Sequence, residues 1–61
     1  MKRNEELESY IYYAKLAATA ERAGQFDSAE ALWNKAALCS INRYNIEWAN
    51  KRMFFCSKHK I

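Results

Sequence analysis

Apolar residues recur every three to four positions along almost the whole chain, which is the spacing of one face of an α-helix. Leu7, Tyr10, Ile11, Ala14, Ala17 and Ala18 form one such set, and Tyr13, Leu16, Ala20 and Ala23 form a second beside it. Together they predict a helix over residues 5–23 whose apolar arc is wider than one neighbouring element needs. Gly24, the sole glycine of the chain, ends that helix as the residue most able to take the left-handed conformation. Phe26, Ala29, Leu32, Trp33, Ala36, Ala37 and Ser40 then carry the helical period through a second helix, residues 27–41. Asp27 followed by Glu30 reads as an N-cap with its reciprocal partner, a variant of the capping box, and Phe26 sits just ahead of it. Ile41 to Tyr44 read as a short connection. Asn45 is the expected cap of a third helix over residues 46–57, with Glu47 in its first turn. In that helix Trp48, Ala49, Arg52, Phe55 and Cys56 form one stripe, while Met53 and Phe54 point elsewhere.

With no proline in the chain, these patterns predict an all-α fold in one domain, residues 1–61. The first two helices form an antiparallel hairpin about Gly24, and the third packs across it. Small residues such as Ala17, Ala29 and Ala36 let the helices approach closely. The rings of Tyr13, Phe26 and Trp33 fill what they leave open. Trp48 is expected in the core as well, because so small a domain has few other large residues for its centre.

Length then sharpens the picture. A domain of 61 residues buries only about 60% of its unfolded surface, and one small core rarely supplies more than roughly 3–5 kcal/mol. Yet 51% of the residues are hydrophobic, among them two tryptophans, four tyrosines and three phenylalanines. Three short helices cannot hide all of that, so part of it is expected to face another protein, either a second copy or a different partner. Tyr10, Tyr12 and Tyr13 fan around the first helix at about 100° steps and cannot all face one core. Tyr12 is the one expected outside.

The net charge is +3, with acids early (Glu5, Glu6, Glu8) and bases late (Arg43, Lys51, Arg52, Lys58, Lys60). Much of this is a solvated surface that complements the helix dipoles. It permits weak contact with nucleic acid without demanding it. The second helix, turn and third helix could be read as a DNA-reading helix-turn-helix. The heavily aromatic third helix, a turn without glycine and a modest basic density argue against direct DNA binding. A charged start with no apolar signal core, and no transmembrane run, point to a cytoplasmic protein with reduced thiols and no membrane contact.

Chemistry is sparse. Cys39 is expected as a small buried hydrophobe beside Ala36 and Ala37. The bases near Cys56 could lower its pKa, and Cys56 with His59 would offer two ligands where zinc takes four. His59 falls in a tail expected to fray. Arg52 in an apolar stripe needs a carboxylate, and Glu21 or Glu30 could brace it. No triad order, paired carboxylates or phosphate loop is present, so neither catalysis, a cofactor nor a metal is expected.

The order Ala17-Ala18, Glu21-Arg22, Gly24, Phe26, Ala29, Leu32-Trp33, Ala36, then Asn45, Trp48, Arg52, Phe55 and Cys56, resembles the ANR family. These are small bacterial proteins that act as negative regulators of AraC-type activators. The resemblance covers residues 10–56. A looser one, to a single tetratricopeptide-type hairpin, rests on Leu16, Ala17, Gly24, Phe26, Ala29, Trp33 and Ala36 and lacks the usual proline after the second helix. The family resemblance implies a protein that binds an AraC/XylS-type transcription activator and lowers its output, with a link to nucleoid-structuring proteins. Self-association into a homo-oligomer is expected from the apolar arc of the first helix. The contact is expected at exposed aromatic and basic positions, with Tyr12, Arg22, Asn45, Lys51 and Phe54 as the candidates. The alternatives are a small DNA-binding or nucleoid-associated regulator using the basic third helix, and a structural adaptor module.

Overall fold

In a computed structural model the chain is described over residues 2–59, with side chains over residues 7–59. The acidic side chains of Glu5 and Glu6, and Lys60 and Ile61 of the expected frayed end, lie outside the described residues. Three helices follow in order: α1 (Lys2–Arg22), α2 (Phe26–Leu38) and α3 (Arg43–His59). α1 and α2 form the predicted hairpin and α3 packs along α2, while α1 and α3 meet only over a small area. α2 is therefore the central helix, and its two faces carry the core.

The elbow between α1 and α2 follows from Gly24, whose φ is 76°. Gln25 N–H donates to the Ala20 carbonyl at 2.8 Å and Gly24 N–H to the Glu21 carbonyl at 3.0 Å. This is the double closure of a Schellman motif, which needs a left-handed residue at Gly24. A Cβ built at Gly24 would meet nothing within 4 Å, so the constraint is conformational. Gly24→Val is expected to cost on the order of 1–2 kcal/mol from backbone strain alone. An unchanged melting temperature would show that the elbow does not require a positive φ.

The start of α2 corrects the expected cap. Its N-cap residue is Gln25, which makes no side-chain capping bond, and Ala29 N–H donates to the Gln25 carbonyl at 2.9 Å. The Schellman turn delivers the chain to the helix two residues before Asp27. Phe26 is thus the first helical residue, and Asp27 lies in the first turn, where its charge favours the positive end of the helix dipole. At the other end α2 stops at Leu38 rather than at residue 41, and Cys39 closes it with N–H bonds to the Lys35 and Ala36 carbonyls.

α3 begins earlier than Asn45 suggested. Asn42 is the cap: its Oδ1 accepts the Asn45 N–H at 3.2 Å, and its carbonyl accepts the Ile46 N–H at 3.0 Å. Ser40 Oγ accepts the Asn42 N–H at 3.1 Å and so fixes the cap residue itself. Asn42→Ala is expected to cost about 1 kcal/mol, read as a fall in melting temperature of roughly 4–8 °C for a domain of this size. Asn45→Ala is expected to leave the start of the helix intact, because its own N–H is the group being capped. α3 also runs two residues past the expected end. His59 is held there by its Phe55 carbonyl contact at 2.9 Å and by stacking on the Phe55 ring at 4.0 Å.

The core consists of Tyr10, Ala17 and Ala20 from α1, Ala29, Trp33 and Ala36 from α2, and Ala49 and Cys56 from α3. Trp33 and Tyr10 are the large rings among many small residues, and the alanines of the core allow the close helix approach. Tyr13, Phe26, Leu32, Met53 and Phe55 pack against this centre from its edges. Trp48 does not join it. Trp48 is 51% exposed, whereas Met53, expected to point away, packs against the edge of the core. Cys39, expected buried, is only half-buried. No helix among the described residues is long and apolar enough to cross a membrane.

Candidate partner-docking face

Where α1 comes closest to α3, Glu21 holds the two together. Arg52 of α3 donates to both carboxylate oxygens of Glu21, from Nη2 to Oε1 and from Nε to Oε2, the latter at 3.2 Å. Trp33 of α2 donates its indole N–H to the same Oε2. One acid near the end of α1 thus ties a base on α3 and the central ring on α2. The two bonds from one guanidinium make this a fork-on-carboxylate pair, the stronger form of such contacts. The expectation that Arg52 braces an acid is met at Glu21.

The electrostatics of the node follow from its depth. Burial pushes the Glu21 carboxyl up, but hydrogen bonds from Arg52 and Trp33 and the Arg52 charge outweigh it, so Glu21 titrates below the ordinary carboxylate range. Beneath it Cys56 is fully buried, and burial together with the nearby Glu21 charge pushes its thiol up to about 11. This reverses the expected influence of the bases. Arg52 does pull the thiol down, but burial and Glu21 prevail, so at neutral pH Cys56 is a protonated filler rather than a nucleophile. Among the described residues no three His, Cys, Asp or Glu side chains gather where they could hold a metal ion.

Around the node lies an aromatic and basic edge. The Arg52 guanidinium sits 4.4 Å from the Phe55 ring centroid and 5.6 Å from that of Trp48. Tyr44, one turn before Trp48 on the same side of α3, is 83% exposed. Lys51 lies beside them and is exposed. Counted from Glu21 around α1, the next flank carries Ala14, Leu7, Ala18 and Ile11, with Leu7 50% and Ile11 40% exposed. The exposed rings of Tyr44 and Trp48, with Lys51 and Arg52, thus form an aromatic and basic edge of α3 beside an ion pair that is already satisfied. Such a surface suits protein contact: rings and an arginine are the side chains that dominate interface energetics.

The five residues expected at the contact are not brought together. Lys51 lies beside the exposed rings of α3, and Arg22, which donates to Thr19 Oγ1 at 3.4 Å, continues the Ile11–Ala18 flank of α1. Tyr12 is exposed, as expected, but its ring packs edge-on to Tyr13 at 5.1 Å, on the flank that Lys35 of α2 reaches. Phe54 is exposed on another side of α3, beneath the Lys58 ammonium at 4.7 Å. Asn45 is half-buried. Tyr44 was missed. Its spacing of four and eleven residues from Trp48 and Phe55 is a helical stripe that could have been read from the sequence.

No family model matches the chain. A Haemophilus influenzae protein, described as an uncharacterized protein in a Mu-like prophage FluMu region, is 41% identical over 54 residues. That match spans 88% of this chain and 73% of the Haemophilus protein. No solved structure matches.

Proposed function

The chain belongs to the family of this Mu-like prophage protein, and from that premise we propose that it is a transcriptional antagonist acting by direct protein contact. It binds an AraC/XylS-type activator in the cytoplasm and lowers its output, without catalysis. The observation that supports this reading is the α3 edge of Tyr44, Trp48 and Lys51, a large exposed aromatic and basic surface on so small a domain. The ANR-like order of residues supports the choice of partner. A binder of this kind acts only through its differential affinity for two states of the activator, so this edge grips the less active state more tightly. The protein works as a homo-oligomer, and contact with a nucleoid-structuring protein is a secondary role of the same surface.

The test is binding of the purified protein to the AraC/XylS-type regulators of its host, measured by titration calorimetry. Binding is expected for at least one of them. Trp48→Ala is expected to weaken it by roughly tenfold or more, the loss of an interface anchor, with the helical circular dichroism unchanged. Absence of binding to every such regulator, together with tight, salt-sensitive binding to duplex DNA, would instead establish the third helix as a nucleic-acid surface.

A further inference from the structure

We infer that α1 pairs with α1 of a second copy in an antiparallel, two-fold arrangement, using the flank that carries Leu7, Ile11, Ala14 and Ala18. The inference names the surface of the self-association proposed above and rests on that reading.

α1 has two apolar faces, and the fold covers one of them and only the border of the other. Tyr10, Ala17 and Ala20 are buried in the core and Ala14 packs at its edge, whereas Leu7 and Ile11 remain half-exposed on the neighbouring flank. Leu7, Ile11, Ala14 and Ala18 are separated by four, three and four residues. That alternation is the seam spacing of a coiled coil, and a helix that is apolar beyond one face needs a second neighbour. The seam ends at the next position in the same series, Glu21, which Arg52 and Trp33 already engage.

Side-chain size sets the direction of the partner helix. The large members, Leu7 and Ile11, lie in the first half of the seam, and the small ones, Ala14 and Ala18, in the second. Run antiparallel, Leu7 faces Ala18 of the second copy and Ile11 faces Ala14, and the two-fold axis repeats both contacts. Each large group then meets a small one. In a parallel pair the large groups would crowd one end and the alanines would leave the other loosely filled.

Charge selects the same direction independently. Glu8, Lys15 and Arg22 follow one another at intervals of seven along the border of the seam. The antiparallel arrangement sets Glu8 against Lys15 of the second copy, twice by symmetry, while in the parallel one these residues lie on opposite sides of the seam from their counterparts and Glu8 does not meet Lys15. Among the described residues neither Glu8 nor Lys15 makes an ion pair. A nucleic-acid strand would leave the aliphatic seam without a counterpart, and a second copy of this helix supplies both the alanines and the opposite charges. The seam is short, so the pair is a concentration-dependent dimer rather than a permanent one.

Sedimentation equilibrium on the full chain, from micromolar to hundreds of micromolar at low salt, tests the inference. The wild type is expected to show a monomer–dimer equilibrium. Lys15→Glu is expected to weaken it about tenfold, because it opposes two acids at each symmetric site. The double variant Glu8→Lys with Lys15→Glu is expected to restore the dimer, since the pair is exchanged rather than lost. Both positions are exposed, and a thermal melt confirms that each variant still folds. A wild type that dimerises while both variants dimerise as it does would overturn this surface and leave self-association standing. A wild type that stays monomeric throughout would overturn both.

Discussion

Trp33→Ala is expected to leave the chain largely unfolded at room temperature. Truncating a buried tryptophan costs about 3–5 kcal/mol through lost burial and the cavity that remains. A domain of this size holds only roughly 3–5 kcal/mol in total. The site cannot close over the gap, because Ala17, Ala29, Ala36 and Ala49 around it are already fully buried and have no larger side chains to swing inward. The same truncation strips Glu21 of its indole donor, so a half-buried carboxylate loses one of its partners as well. Trp33→Phe separates the two effects. It keeps most of the apolar volume and removes the N–H, and a loss of about 1–2 kcal/mol is expected from the missing bond and the smaller ring. Far-UV circular dichroism with a urea melt reads both variants. A Trp33→Ala protein with a cooperative transition near that of the wild type would mean that Trp33 is not the centre of the core.

How far the sequence discloses this fold depends on whether a signal is local. Gly24 was legible because a lone glycine between two helical periods has few uses other than a left-handed helix end. The faces of α1 and α2 were legible too, since Ala17, Ala29, Trp33 and Ala36 obey one period and meet each other. The caps were not. Asp27 with Glu30 satisfies every local criterion for a cap, yet the Schellman turn at Gly24 already makes Gln25 the boundary residue. Asn42 and Asn45 are equivalent by type, and the Ser40 contact to the Asn42 backbone decides between them. The third helix was misread by rotation. Its stripe of Trp48, Ala49, Arg52, Phe55 and Cys56 spans a wide arc, and the tie from Arg52 to Glu21 turns that arc so that Ala49 and Cys56 go inward and Trp48 outward. That tie joins residues 31 apart in sequence. For the same reason the exposed edge of Tyr44, Trp48 and Lys51, which depends on how α3 is turned against α2, could not be assembled from exposed residues chosen one at a time.

Arg52→Ala is expected to be the next most damaging change, at about 2 kcal/mol. Removing one partner of a fully buried ion pair costs about 3–5 kcal/mol, because the other charge is left stranded. Here the pair is only half-buried, and water partly repays Glu21, which lowers the figure. The variant Glu21→Ala with Arg52→Ala is expected to be less damaged than the two single losses summed, since neither charge is stranded. Acid should reproduce the effect. Glu21 titrates below its unfolded value in the fold, so its contribution is complete above about pH 4.3, the ordinary glutamate value. It is then lost as the pH falls through the lowered native value. The wild type is therefore expected to lose melting temperature on acidification below about pH 4.3 more steeply than Glu21→Gln, which has no carboxyl to protonate at that position. Alkali acts in the opposite sense through Cys56. Its thiol stays protonated in the fold up to about 11 but ionises near 8.5 once exposed, so that contribution is present at neutral pH and is lost as the pH rises through the native value. Cys56→Ala is expected to flatten the alkaline limb without touching the acid one. Equal acid limbs for the wild type and Glu21→Gln would show that the link between α1 and α3 does not depend on this carboxylate.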